Sequence, residues 1–210
     1  MSVSTLTDQE EVASIIQDYD LTSIPVVDTE NKLVGIITID DIIDIIEEEA
    51  TEDIEKMAAI TPTEKPYLKL SVLDLYKSRI PWLLLLMISA TFTGKIIQHY
   101  EAALASYVVL TSFIPMLMDT GGNAGGQSSV TIIRGLSLND IEYKDTLKVI
   151  LKEIRVALLA GITLALANFV KLLIIDKVST SVALVVCLTL VVTVIIAKII
   201  GCSLPILAKK

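Results

Sequence analysis

Cysteine is nearly missing from this 210-residue sequence. The two that occur, Cys187 and Cys202, lie in apolar runs without ligand-like spacing, so no disulfide framework is implied and both read as small buried hydrophobes. The N-terminus lacks a charged stretch followed by an apolar core, so no cleaved signal peptide is expected and membrane insertion is left to later segments. No Gly-Lys-Ser/Thr follows the four glycines that cluster at residues 121–126, so a Walker-type phosphate loop is excluded as well. Between Asp40 and Glu55 there is no basic residue at all. Much of the net charge of -8 gathers there, a concentration that would repel nucleic-acid phosphates and favours cations. What is abundant is apolar: 53% of residues are hydrophobic and the mean hydropathy is +0.68, enough for several membrane spans.

The first 56 residues read as an α+β module. Apolar Val12, Ala13, Ile15 and Ile16 fall at helical spacing with acids on either side of them, and Thr7 with Glu10 gives a capping-box start. Two β-branched runs, 23–28 and 32–38, are separated by Asp28-Thr29-Glu30-Asn31 and predict two strands joined by a turn. Asp40 and Asp41 are then expected to cap a helix that carries Ile42, Ile43, Ile45 and Ile46 on one side and the acids on the other. Residues 57–79 form a linker with prolines, ending in a short amphipathic helix.

From residue 80 onward the chain reads as an all-α bundle of four spans, at about 81–97, 102–133, 149–175 and 180–207. Lys77, Arg79, Arg134, Lys144, Lys148, Lys152, Arg155, Lys209 and Lys210 fall on one side, which places the N-terminal module and the C-terminal residues in the cytoplasm of a multi-pass protein. The segment 102–133 is too long for one straight span, about 48 Å against a hydrocarbon core of about 30 Å, so a break is expected within it. Lys198 in the fourth span must snorkel or face protein.

The segment Asp119-Thr120-Gly121-Gly122-Asn123-Ala124-Gly125-Gly126-Gln127 sits inside apolar sequence. Non-helical backbone at membrane depth survives only where it faces protein or a water-filled cavity. So many glycines and amides therefore predict a polar cavity, with bared carbonyls and neutral oxygens suited to a hydrated cation. Magnesium holds its waters tightly, and a pore for it needs acceptors spaced for the hydrated ion with a carboxylate for selectivity; Asp119 is the carboxylate this reading supplies. On spacing alone, close helix packing by the glycines explains the segment equally well. Asp119-Thr120-Gly121 also matches the triplet of aspartic proteases, but that chemistry needs a second deep aspartate, and no enzyme activity is expected.

The run at residues 24–28, a turn, the run at 33–38 and Asp41 resemble a CBS module. Residues 115–136, PMLMDTGGNAGGQSSVTIIRGL, are similar to the second-span segment of the MgtE family of magnesium channels, and the order of CBS module, acidic run, linker and this segment resembles that family along essentially the whole chain. The resemblance implies a homodimer in an inner membrane, with Mg²⁺ both transported and regulatory. It places the pore at the dimer axis and gives pore-lining roles to Gly121, Gly122, Asn123, Gly125 and Gln127, with Asp119 secondary. It implies an adenosine nucleotide such as ATP at Thr38 and Asp41, although a purely structural or cation-sensing module fits the same residues. A first CBS module and a fifth span bearing an aspartate belong to the family pattern and are expected to be missing here, leaving one wall of a pore.

The resemblance also gives the acidic helix a task. Asp40, Asp44, Glu48, Glu49, Glu52 and Asp53 would repel their counterparts until divalent ions bridge them, closing the pore at high cytosolic magnesium. A solvated acidic face is the bland alternative. For the whole chain the alternative is a membrane-tethered CBS regulatory or interaction module without transport activity.

Overall fold

The computed structural model describes residues 1–63, 65–138 and 140–208. They divide into two compact units, Met1–Leu83 and Leu84–Lys210, which are taken in turn.

The first unit opens with strand β1 (Val3–Ser4), helix α1 (Gln9–Asp18), strands β2 (Ser23–Val27) and β3 (Leu33–Thr38), and helix α2 (Ile39–Met57). The sheet order is β1-β2-β3. β1 runs parallel to β2 and β2 antiparallel to β3, from Ser23 opposite Thr38 to Val27 opposite Leu33, with an irregularity at Val26/Val27. The expected turn is present: the Asp28 carboxylate accepts from the amides of Glu30 and Lys32, and Asn31 takes a positive φ, which asparagine tolerates. Val3, Val12, Ala13, Ile16, Ile24 and Ile42 form a wholly apolar core.

Both helix starts differ from the sequence reading. Asp8, not Thr7, caps α1, its carboxylate accepting from the Glu10 amide; Thr7 is taken up by the preceding turn, where its hydroxyl accepts from the Ser4 amide. Thr38 is the N-cap of α2, with Asp41 at N3 completing a capping box, so Asp40 and Asp41 lie inside the first turn. Ile42 is fully buried and Ile45 and Ile46 partly so, but Ile43 is exposed; at a 100° step it falls outside the stripe the other three define. After α2 a 3₁₀ turn at Tyr67–Lys69 leads into helix α3 (Val72–His99), within which the division between the units falls. The linker helix and first span expected as separate pieces are thus one helix, with Pro81 inside it.

In the second unit, the short helix α4 (Glu101–Ser106) and a 3₁₀ stretch at Val108–Phe113 precede α5 (Ile114–Ser137), α6 (Thr146–Ile174) and α7 (Thr180–Ala208). The break expected within 102–133 is present, but upstream of the glycines. The glycine-rich segment itself is continuous α-helix, which corrects the expectation of irregular backbone there. The magnitudes explain why. A glycine inside a helix costs about 0.5–1 kcal/mol relative to alanine, whereas each backbone group left unpaired in lipid costs several kcal/mol. Among the described residues, three helices are long and apolar enough to cross a membrane: Val72–His99, Tyr143–Ile174 and Thr180–Ala208. α5 is about 36 Å long at 1.5 Å per residue, but carries a polar face.

α7 packs against both α5 and α6. Three apolar layers stack along the bundle: Phe113, Leu172, Ala183, Val186 and Cys187 at one end; Ala124, Ala157 and Val194 in the middle; Ile132, Leu136, Cys202 and Ile206, with Val149 and Ile150 against them, at the other. The layers show that α5 and α7 run parallel and α6 antiparallel to both. The two cysteines are buried and free, as their apolar surroundings implied.

Candidate functional site

α5 has two faces of opposite character. Gly121, Ala124, Ser128, Ile132 and Leu136 are buried, following the helical repeat. A Cβ on Gly121 would lie 2.8 Å from Thr193 Cγ2, one on Gly125 3.0 Å from the Ala197 carbonyl oxygen, and one on Gly201 2.3 Å from the Gly125 carbonyl oxygen. These three glycines let the α5 and α7 backbones touch, as small residues do between helices in membranes. The other face exposes Asp119, Gly122, Asn123, Gly126, Gln127 and Thr131, and a Cβ on Gly122 or Gly126 would meet nothing within 4 Å. Asp119, Asn123 and Gln127 fall at successive four-residue steps, a ladder of one carboxylate and two amides rising about 6 Å per step. The six residues named for the pore thus separate: Gly122, Asn123, Gln127 and Asp119 share the exposed face, while Gly121 and Gly125 face α7.

Behind the ladder, between the middle apolar layer and the layer of Ile132 and Cys202, lies a polar one. Ser128 Oγ donates to Glu153 Oε2 at 2.6 Å. Lys198 Nζ donates to Ser128 Oγ at 2.9 Å and to Glu153 Oε2 at 3.2 Å. The side chains of Lys198 and Glu153 are only 8% and 13% exposed, so Lys198 faces protein rather than snorkelling. Glu153 thus stands against α5 as a second carboxylate near the glycine-rich segment, on the face opposite Asp119. It does not restore protease chemistry: Ser128 is nine positions from Asp119, about 14 Å along the helix, and Glu153 is neutralised by Lys198.

In the first unit, Asp44, Glu48, Glu49 and Glu52 line a cleft of about 650 Å³ together with Glu47, Glu55 and Lys65, while Asp40 and Asp53 lie off it. Gln9 Nε2 donates to Glu49, Lys56 pairs with Glu52, and Glu55 accepts from the amide and hydroxyl of Thr63, clipping α2 to the linker. The Glu52 carboxylate holds the Lys56 ammonium pKa above its ordinary value. Among the described residues, no group of three or more His, Cys, Asp or Glu side chains converges as a metal site. Thr38 and Asp41 bond to one another, the Asp41 carboxylate accepting from the Thr38 hydroxyl at 2.7 Å and its amide at 3.1 Å. Those two bonds lower the Asp41 pKa, the hydroxyl's contribution being the larger.

The residues sequence reasoning missed are Glu153 and the pairing role of Ser128. A signal was available, since a lysine deep in a span requires a partner and Glu153 is a carboxylate in the preceding one. What was missing was the register between helices.

Residues 114–210 match the MgtE family model, described as a divalent cation transporter, and residues 1–48 match the CBS domain. The chain is 40% identical over 212 residues to the magnesium transporter MgtE of Thermus thermophilus, covering 99% of this chain and 46% of that protein. It is 39% identical over 214 residues to the protein of the same name in Bacillus subtilis, covering 100% of this chain and 46% of the relative. With that of Enterococcus faecalis it shares 35% over 161 residues, covering 77% and 35%. The chain therefore spans less than half the length of each of these curated relatives.

Proposed function

We propose that this chain, which joins a CBS domain to the divalent cation transporter domain of the MgtE family, works in a homodimeric magnesium channel or transporter whose ion path runs along the exposed face of α5. The observation that carries the reading is the ladder Asp119, Asn123 and Gln127, exposed on a helix whose opposite face is packed into an apolar bundle. Polar groups facing lipid would be costly, whereas facing water they cost nothing. Amide side chains rooted about 6 Å apart along the helix, with the unobstructed backbone of Gly122 and Gly126 beside them, suit an ion that keeps its hydration shell. Asp119 adds negative charge toward one end of the path. Gly121 and Gly125 serve the path by bringing α5 against α7. The test is Mg²⁺ flux into liposomes containing the full-length protein: Asn123→Ala is expected to lower flux, and an unaltered flux would remove Asn123 from the path.

Arg134, Lys144, Lys148 and Lys152 gather toward the end of the bundle marked by Ile132, Leu136, Val149 and Ile206, which supports a cytoplasmic placement of that end; Arg155 stands deeper, two residues from Ala157 of the middle layer, and Lys209 and Lys210, counted on the same side, lie outside the described residues. The acidic face of α2 is the proposed magnesium sensor. Because no three ligands converge within the described residues, ions there bridge α2 to acids of another element or subunit. Neutralising Glu48, Glu49, Glu52 and Asp53 together in the full-length protein is then expected to leave transport open at high cytosolic Mg²⁺, and unchanged closure would sink the idea. Any adenosine nucleotide at Thr38 and Asp41 meets a pair already serving as a helix cap; equal ATP binding by Thr38→Ala and the unaltered protein would leave the cap as the pair's role.

A further inference from the structure

The middle of the seam between α5 and α7 is built from small residues that fix a rotation only weakly, because one residue on, Gly122 and Gly126 offer α7 the same bare backbone as Gly121 and Gly125. Gly121, Ala124 and Gly125 on one helix meet Thr193, Ala197 and Gly201 on the other, partly backbone against backbone. Such surfaces have few knobs to seat in holes, and lipid gives no hydrophobic penalty that would single out one angle over another. Rotating α5 by one residue, about 100°, would carry Asn123 and Gln127 off the path.

We infer that Ser128, Glu153 and Lys198 are positioning residues: a polar lock behind the helix that fixes the rotation of α5 and so aims Asn123 and Gln127. This rests on the reading of the exposed face of α5 as the ion path. Three observations converge on it. The cluster draws one residue from each helix, so its bonds close only at one mutual register. It occupies a single layer, each member four residues from the apolar layer on either side: Ala124, Ser128, Ile132 on α5, Ala157, Glu153, Val149 on α6, and Val194, Lys198, Cys202 on α7. Finally, a buried ion pair is a poor source of stability, since apolar groups of similar volume commonly replace one without loss; the best-attested use of buried polar groups is to select register. Breaking the lock therefore need not unfold the bundle. It frees α5 to turn.

The test uses the full-length protein with Glu153→Leu and Lys198→Met combined, which removes both charges and preserves volume, and separately Ser128→Ala, which removes only the bridging hydroxyl. Each is reconstituted in liposomes, with flux normalised to folded protein. The double variant is expected to keep its melting temperature in detergent but lose roughly ten-fold in Mg²⁺ flux, as is typical when residues supporting a metal-contacting group are removed. Its ratio of Mg²⁺ to Ca²⁺ flux is expected to fall with it, a change that lower protein yield alone would not produce. A second readout does not depend on transport. With Cys187 and Cys202 replaced by alanine and a single cysteine at position 123 or 124, a charged thiol reagent should label 123 alone in the locked protein and both positions in the double variant. If the double variant fails to fold, Ser128→Ala carries the same two readouts at smaller amplitude. A stable variant with unchanged flux, unchanged ion ratio and unchanged labelling overturns the lock. If Asn123→Ala leaves flux unaltered while labelling still shifts, the ion-path reading fails and the lock stands.

Discussion

The two units of this chain are patterned as inversions of one another. In the N-terminal unit the core is wholly apolar, from Val3 to Ile42, and the charges lie outside, as in the exposed pair of Lys56 with Glu52. In the helical unit the exterior is apolar, with Leu158, Ile162 and Leu166 of α6 exposed, while a lysine and a glutamate are buried together. A fold sends to its surface whatever its solvent accepts, and water and lipid accept opposite groups. The same ion-pair chemistry therefore has opposite weight in the two places, because exposed pairs are screened and buried ones are not.

The contrast is sharpest if Lys198 and Lys56 are each replaced by alanine. Lys198→Ala leaves Glu153 buried without its cation and is expected to destabilise the bundle by about 3–5 kcal/mol, read as a lowered melting temperature in detergent. Next comes Gly201→Ala, whose new methyl would fall on the Gly125 backbone; forcing the helices apart is expected to cost about 1–3 kcal/mol. Gly126→Ala, with open space around it, is expected to cost no stability and to affect flux alone. Thr38→Ala removes a helix cap from the N-terminal unit, an effect of about 1 kcal/mol. Its pH dependence follows from Asp41, whose pKa is lowered in the folded state by its bonds to Thr38. The stabilisation is present above the ordinary aspartate value and is lost as pH falls through the lower folded value. Acid titration of the native protein should therefore show a loss that Thr38→Ala lacks. The smallest of the stability losses is that of Lys56→Ala, at or below about 0.5 kcal/mol for an exposed helix pair, and a value near that of Lys198→Ala would break the comparison.

How much could be read in the sequence follows the same division. The α+β module was legible because its signals are those of water: Val12, Ala13 and Ile16 at helical spacing, two β-branched runs, and an Asp/Asn turn. The errors there were of one or two residues at caps, where Asp8 and Thr38 had close competitors in Thr7 and Asp40. In the helical unit the rules changed with the solvent. Glycine as a helix breaker is a rule learned in water, and it misjudged Gly121 to Gly126, which remain helical. The exposed row of Asp119, Asn123 and Gln127 follows from the repeat once that helix is granted. The lock was half legible: Lys198 deep in a span calls for a partner, but its partners lie 45 and 70 positions away, and only the register between helices picks them out.

If α5 lines an ion path, its polar face borders water while its other faces border protein or lipid. A cysteine scan of α5 from position 118 to 132, in full-length protein lacking Cys187 and Cys202, measures it directly through the rate of reaction with a membrane-impermeant charged thiol reagent. Fast reaction at 119, 122, 123, 126 and 127, slowed by Mg²⁺, with silence at 121, 124, 128 and 132, is the predicted result. Uniform silence along the helix, or reaction that ignores its two faces, would contradict it.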